Sequence, residues 1–240
     1  KKSYVGHTGG TTGKSLTTYY TWEDMQERMA ILDCLREKNG YSLGKKIAWF
    51  SGKHILTPRD EVKKRFWKHS LLFNIRYYST FHLSEENMPY YLENLNRCQP
   101  QYFSGFASNI FELANFVKRK NFPIYFKPGA IFTTAETLIP SQVQIIEEVF
   151  KTKVVDHYSS SEGAPWILQC EAGKYHFWNT TGVIEEVNGE MVVTAFGTRG
   201  TPLVRYKIGD GIKMSSRTEP CACGSFYPVV ERIEGRINDF

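Results

Sequence analysis

The sequence lacks any apolar run long enough to span a bilayer. No secretory leader is visible at its start. Cysteine is scarce: there are five, an odd number at uneven spacing. That excludes a disulfide framework and favours a reducing, cytoplasmic compartment. No internal repeat, low-complexity tract or proline-rich linker is present. Charge is not concentrated either. The net +5 is spread along the chain, which suits an anionic small molecule but is not a nucleic-acid footprint. The densest basic runs, Lys63-Lys64-Arg65 and Lys118-Arg119-Lys120, read as solvated helix faces.

Aromatic residues are plentiful, with sixteen Phe, fourteen Tyr and five Trp. At 240 residues the chain can bury a substantial core in one or two domains. Its most informative stretch is His7-Thr8-Gly9-Gly10-Thr11-Thr12-Gly13-Lys14-Ser15. Glycines let a backbone turn with positive φ and approach a ligand closely. Threonine hydroxyls and free N–H groups can surround phosphate oxygens, and the lysine supplies charge. The Walker A order G-x-x-x-x-G-K-[ST] fits Gly13-Lys14-Ser15, but its opening glycine falls on Thr8. Read alone, the stretch also fits a polar surface turn.

Hydrophobic periodicity alternates helices with strands. Thr21 starts a helix, with Asp24 as its capping partner, that presents Trp22, Met25, Met29 and Leu32 on one face and stops at Asn39-Gly40. Ile47 to Phe50 reads as a strand, and residues 59–69 and 85–97 read as helices. Ser108 to Lys120 is a helix with Ile110, Leu113, Ala114 and Val117 inward. Ile124 to Phe126, Ala130 to Phe132 and Val154 to Asp156 read as strands. A helix starts at Pro140 and runs to Phe150. The pattern implies an α/β fold with a largely parallel sheet. Beyond about residue 165 only strands and turns follow, including a hairpin at Asn188-Gly189. The expected division is an α/β part over residues 1–164, a β-rich subdomain over 165–234, and a hinge segment at 235–240.

Three further motifs carry chemistry. Asp156-His157-Tyr158-Ser159-Ser160-Ser161-Glu162-Gly163 follows a strand, at the edge where open α/β sheets bind ligands. Its tyrosine can stack on a base, a serine can bond a phosphate oxygen, and Glu162 can hold Mg²⁺. It is equally a polar loop after a strand. Val204-Arg205-Tyr206-Lys207-Ile208-Gly209-Asp210 offers a carboxylate to two ribose hydroxyls, or is simply a turn. Glu234-Gly235-Arg236-Ile237-Asn238-Asp239 is the last, and alone it is only a basic turn.

In order and spacing, these four motifs resemble adenylate-forming enzymes, the acyl-CoA synthetase superfamily. The similarity is nearest to the phenylacetate–CoA ligase branch and its relatives encoded with capsular polysaccharide genes. Tyr78 to His82 resembles that branch's acid-pocket segment, Gly105 to Ser108 its Gly-Tyr-Pro-Ser turn, and Thr134 to Leu138 its Gly-Glu-x-Leu loop. The resemblance implies the large N-terminal domain of such an enzyme. Thr8, Gly9, Gly10, Thr11, Thr12, Gly13 and Lys14 would hold the β- and γ-phosphates. Ala135, Glu136, Asp156 and Tyr158 would form the adenine slot. Ser161 would contact the α-phosphate and Glu162 the Mg²⁺. Asp210 would grip the ribose, with Arg236 near ribose and phosphates. Asp239 falls at the hinge.

The implied reaction is attack of a carboxylate on the ATP α-phosphate, with loss of pyrophosphate and formation of an acyl-adenylate. Coenzyme A, or another acyl acceptor, then takes the acyl group. The acid is expected to be an aryl or acyl carboxylate. Tyr77, Tyr78, Phe81, Phe103, Phe106 and Phe132 are candidates for an aromatic-lined pocket, and equally for core. Neither a nucleic-acid partner nor membrane insertion is expected. Superfamily members also carry chain before the phosphate loop and a small C-terminal domain bearing a lysine that contacts the adenylate oxygens. Neither is recognisable here, so the sequence reads as a piece of a longer protein. Two alternatives are a non-catalytic nucleotide-binding relative and a zinc-stapled interaction module.

Cys170, His176, Cys221 and Cys223 provide three sulfurs and an imidazole, a set suited to tetrahedral Zn²⁺. Their spacing is not a common zinc-finger pattern. Related phenylacetate–CoA ligase-like proteins carry a similar set. Four protein ligands leave no open position, so the expected role is structural. Cys34 and Cys98 read as small core residues, and His54, His69 and His157 show no partner pattern.

Overall fold

A computed structural model of the chain describes residues 3–7 and 16–236. The chain divides into two compact units, residues 36–156 and residues 1–35 with 157–240. An antiparallel pair opens the chain, β1 (Tyr4–His7) with β2 (Thr17–Tyr20). Helix α1 (Trp22–Lys38) follows. Its start is a reciprocal cap. The Asp24 N–H donates to Thr21 Oγ1 at 3.1 Å, and the Thr21 N–H donates to Asp24 Oδ2 at 2.8 Å. The expected inward face of α1 is corrected. Trp22 and Met29 are exposed, while Asp24, Leu35 and Arg36 are buried. The polar residues turn inward because partners wait there. Within the unit containing residues 1–35, Arg199 and the Gly200 N–H meet Asp24.

In the unit spanning 36–156, β3 (Ile47–Ser51) is followed by α2 (Pro58–Val62), β4 (Trp67–Ser70) and β5 (Ile75–Ser79). Then come α3 (Met88–Cys98), β6 (Tyr102–Gly105), α4 (Ala107–Lys120), β7 (Ala130–Thr134) and α5 (Pro140–Phe150). Strands β5, β3, β6 and β7 are parallel neighbours in that order, and β4 adds antiparallel at the β5 edge. The expected helix over 59–69 is therefore replaced by a short helix and a strand. Lys64 takes a left-handed φ of 52°, which ends the helix, and Trp67 to Ser70 then pair in register with Tyr78 to Ile75. Ile124 to Phe126, expected as a strand, form none, although Phe126 packs on Phe103 and Phe150. Helix α4 buries Ile110, Leu113, Ala114 and Val117, as their spacing requires. Tyr78, Phe103 and Phe132 are core residues, fully enclosed. They leave the expected aromatic pocket with Tyr77, Phe81 and Phe106.

Strand β8 (Val154–Ser159) runs from this unit into the other, where every sheet pairing is antiparallel. It is followed by β9 (Trp166–Gln169), β10 (Tyr175–Phe177), β11 (Gly182–Val187), β12 (Glu190–Ala195), β13 (Tyr206–Met214) and β14 (Val229–Arg236). Their order is β8-β9-β10-β14-β13-β12-β11. Ile167, Phe177, Met191, Val193, Ile208, Ile212 and Val230 form its core. The β11–β12 hairpin turns at Asn188 and Gly189, with φ of 53° and 80°. Both central residues are left-handed, the geometry that Asn-Gly favours.

Candidate functional site

The stretch from Thr8 to Lys14 lies outside the described residues. Its flanking strands β1 and β2 are described. Thr18 on β2 is fully buried, and its Oγ1 donates to the Ser161 carbonyl at 3.3 Å. The strand that follows the phosphate stretch thus touches the second motif.

That motif starts on β8 itself, not after it. Tyr158 is a strand residue, and the turn begins at Ser160. Ser160 Oγ donates to the Ala164 carbonyl at 2.5 Å, which closes the turn. Gly163 has φ of 90°, and a Cβ there would sit 2.0 Å from Thr198 Cγ2. Only glycine fits. Glu162 is buried, and Ser161 is half-buried.

The residue that organises this turn was not legible in the sequence. Arg28, from the middle of α1, donates from Nη2 to the Ser160 carbonyl at 3.0 Å. Its guanidinium lies over the rings of Tyr20 and Trp166, at 5.1 and 5.2 Å. Nη1 is buried with no hydrogen-bond partner. Burial pulls the Arg28 pKa down, and the charges of Tyr20, Glu162 and Asp24 oppose it. A guanidinium stays protonated, so Arg28 is a buried cation. A lone arginine in a helix reads as a solvated face, and nothing in the sequence marks it otherwise.

The second and third motifs meet. The Tyr158 hydroxyl donates to Asp210 Oδ2 at 2.5 Å. Asp210 lies not in a turn but inside β13, where the pairing register shifts between Asp210 and Gly211. That irregularity re-aims a side chain. Across the ladder Asp210 pairs with Arg236 of β14. Three expected site residues, from three separate motifs, are thereby assembled on one sheet.

The unit of residues 36–156 carries the other candidates. Its strand order reverses direction at β3 and β6, and the crevice at such a switch is the ligand site of open α/β sheets. Gly105, with φ of 142°, lies there; a Cβ would approach the Phe50 carbonyl to 2.4 Å. Phe106 packs on Gly52, and His54 stacks on Phe81 with ring centroids 4.3 Å apart. His54 is a second residue the sequence did not flag. His82 Nδ1 bonds Ser79 Oγ at 2.8 Å, and His82 Nε2 lies 3.4 Å from Glu61. After β7, Ala135 takes a left-handed φ of 66°, a conformation alanine adopts only under constraint. Glu136 accepts from the Ser108 N–H and hydroxyl, both at 2.8 Å. This carboxylate caps α4 and joins two of the motifs noted in the sequence. Asp156 is buried and accepts from Thr133 Oγ1 at 2.8 Å.

Cys170, His176, Cys221 and Cys223 do meet. Their ligand atoms all lie within 4.8 Å of one another. Tetrahedral zinc with Zn–S of about 2.3 Å needs sulfurs roughly 3.8 Å apart, so the set needs little contraction. Two turns present the thiols. In one, the Gly173 N–H donates to the Cys170 carbonyl; in the other, the Gly224 N–H donates to the Cys221 carbonyl. Both glycines have positive φ, 72° and 78°. His176 Nδ1 bonds the Tyr227 carbonyl at 3.0 Å, which leaves the Nε2 lone pair towards Cys223 Sγ at 3.5 Å. The Cys221 thiol is held down at about 6, first by the Cys223 backbone N–H, against its own burial, with help from His176.

Comparison with known proteins agrees with this architecture. No protein-family model matches the chain. It is 37% identical over 238 residues to Protein CapK of Staphylococcus aureus, covering 97% of the chain and 53% of CapK. The chain thus spans about half the length of that relative. Among solved structures, 2-hydroxyisobutyryl-CoA ligase in complex with 2-HIB-AMP and CoA matches with a TM-score of 0.70 at 18% identity, covering 98% of this chain and 58% of that one. MbtA of Mycobacterium smegmatis matches with a TM-score of 0.58 at 11% identity, covering 98% and 46%. Among the described residues, no helix is long and apolar enough to cross a membrane.

Proposed function

We propose, for a chain that has the fold of the large N-terminal domain of adenylate-forming acyl-CoA ligases, that the protein it belongs to activates a carboxylic acid with ATP. The carboxylate attacks the α-phosphorus, the bond to the bridging oxygen of pyrophosphate breaks, and an acyl-adenylate forms. Coenzyme A is the proposed acceptor of the acyl group, and an aryl or acyl carboxylate the proposed substrate. The observation that carries this reading is the Tyr158–Asp210 hydrogen bond with Arg236 in register opposite Asp210. Nucleotide binding draws on residues from separate motifs, and this proximity supports the reading. The solved ligase with bound 2-HIB-AMP and CoA supports it by likeness of fold.

In this reading the chain's residues bind and orient rather than donate a nucleophile. Thr8 to Lys14 take the β- and γ-phosphates. Ala135, Glu136, Asp156 and Tyr158 take the adenine, Ser161 the α-phosphate, and Asp210 and Arg236 the ribose side. The buried Glu162 carboxylate fits a magnesium ligand, and Mg²⁺ when bound supplies charge neutralisation at the phosphates. The Cys170, His176, Cys221, Cys223 set fits structural Zn²⁺, because three thiols and one oriented imidazole complete a tetrahedron.

The test is ATP–pyrophosphate exchange in the complete protein with a panel of aryl and short acyl acids. Exchange that depends on one acid establishes adenylation and identifies the substrate class. No exchange with any acid, in folded protein that binds ATP, removes the catalytic reading.

A further inference from the structure

The edge of the parallel sheet opposite the strand ends that carry the candidate site has its own character. Residues 42–46, 71–74, 99–101, 121–129 and 151–153 lead into β3, β5, β6, β7 and β8, so all five segments lie at one edge of the unit spanning 36–156. Hydrogen bonds lace them sideways. Asn74 Nδ2 donates to the Gly44 carbonyl at 2.8 Å, and the Gln101 N–H to the Lys46 carbonyl at 2.9 Å. The Gly129 N–H donates to the Gln101 carbonyl at 2.7 Å, and Thr152 Oγ1 to the Gly129 carbonyl at 3.0 Å. The edge is a built surface.

Two kinds of side chain stand out on it. Leu71 and Leu72 are each 83% exposed, Leu43 75%, Tyr125 68% and Phe73 49%. Single exposed apolar residues need no explanation, but a cluster on one face does. The same segments carry Lys45, Lys46, Lys127, Lys151 and Lys153, and no Asp or Glu at all. Acids on the flanking helices offset part of this charge. Glu148 is paired with Lys118, while Glu147, which accepts from the Val154 N–H, and Glu37 on α1 keep theirs, so the five lysines still outnumber the acids.

Exposed leucines and aromatics among lysines match the interface between anionic headgroups and acyl chains. A nucleic acid or a purely acidic chain would use the lysines but gain little from a Leu-Leu-Phe turn tip. We infer that this edge docks the protein on an anionic membrane surface, with Leu43 and the Leu71-Leu72-Phe73 tip entering the headgroup layer. The chain lies on the bilayer and does not span it. The switch-point crevice, at the other end of the strands, then faces away from the lipid. The inference is independent of the proposed adenylation.

The experiment is sedimentation of the purified protein with phosphatidylcholine vesicles, with and without phosphatidylglycerol. The expected result is binding only with phosphatidylglycerol, weakening as salt rises. Each lysine near the surface contributes roughly fivefold to affinity, so a Lys127→Gln, Lys151→Gln, Lys153→Gln variant should bind about a hundredfold less. Leu71→Ser with Leu72→Ser should reduce binding by about tenfold or more at unchanged lysine charge. Both sets are exposed, and a melting temperature near that of the unaltered protein checks the fold. Should one variant misfold, the other still decides. No binding to phosphatidylglycerol vesicles overturns the inference. So does a leucine variant that binds as well as the unaltered protein, or equal retention on polyglutamate beads, which would assign the edge to an acidic macromolecule.

Discussion

Tyr158 and Asp210 share a 2.5 Å hydrogen bond, although they stand on β8 and β13 with three strands of the sheet between them. The phenol donates and the carboxylate accepts, so Asp210 is held in one orientation. Tyr158→Phe removes the donor and keeps the ring. A hydrogen bond to a charged group contributes about 1.5–3 kcal/mol, and partial exposure of the pair puts this one at the low end. ATP affinity should fall roughly tenfold, with a small drop in melting temperature. Asp210→Ala should lose more affinity than Tyr158→Phe. Calorimetric titration with ATP separates the two, and equal affinity in all three proteins would sink the assignment.

Much of this arrangement was legible in the sequence, for specific reasons. The Asn188-Gly189 turn and the α4 stripe are local patterns, where one short window holds the whole signal. The Cys and His set was visible as residue types, but its assembly depends on β10 pairing with β14, a non-local fact. Strand β4 was hidden because Lys63-Lys64-Arg65 and the apolar residues around it mimic a helix face. Only the left-handed Lys64 and pairing with β5 break that reading. Arg28 was hidden for another reason. Its hydrogen-bond partner, the Ser160 carbonyl, and one of the two rings it lies over, Trp166, are brought by distant segments.

Arg28 should be costly to replace. Arg28→Met keeps the length but removes the hydrogen bond to the Ser160 carbonyl and the cation over two rings, and loss of a charged hydrogen bond costs about 1.5–3 kcal/mol. Arg28→Lys retains charge but not the planar fork that lies over two rings while bonding Ser160, so it should recover only part. Urea denaturation gives the stability ranking. Hydrogen exchange at residues 158–163 should rise in both variants before global unfolding. Unchanged exchange there would remove Arg28 from the role of organising the turn.

Asp24 links α1 to the stretch after β12. Burial alone would raise its pKa, but hydrogen bonds from Thr21, Arg199 and Gly200 outweigh that and hold it below 3.8. A carboxylate depressed in the folded state stabilises fully above its unfolded pKa, and the contribution fades as pH falls through the folded value. Asp24→Asn should therefore cost about 2 kcal/mol at neutral pH. Most of that belongs to the backbone N–H bonds, since Arg199 is half exposed and screened. The gap between the two proteins should close only in acid below pH 3.8. A gap that stays constant into that range would show that the charge is not what matters.

The Cys170, His176, Cys221, Cys223 set should carry zinc. Purified protein should contain about one equivalent by elemental analysis, and a strong chelator should lower the melting temperature. Cys221→Ser should lose the metal and most of the chelator effect together, because it removes the innermost ligand. Cys34→Ser, on α1, should change neither. Metal-free protein with an unchanged melting temperature would leave the four residues as reduced neighbours.

Gly163 and Thr198 give the sharpest steric test. Gly163→Ala meets two penalties, a Cβ 2.0 Å from Thr198 Cγ2 and a φ of 90°. The φ penalty is about 1–2 kcal/mol and cannot be relieved by a neighbour. The clash can be. Thr198→Ser removes Cγ2 while keeping the hydroxyl, so the double variant should be more stable than Gly163→Ala alone, yet remain below the unaltered protein. The recovered part measures the clash and the remainder measures backbone strain. Because Glu162 precedes Gly163, nucleotide affinity should follow the same order as stability. If Thr198→Ser rescues nothing, the turn accommodates alanine by moving as a whole, and the contact with Thr198 does not fix it.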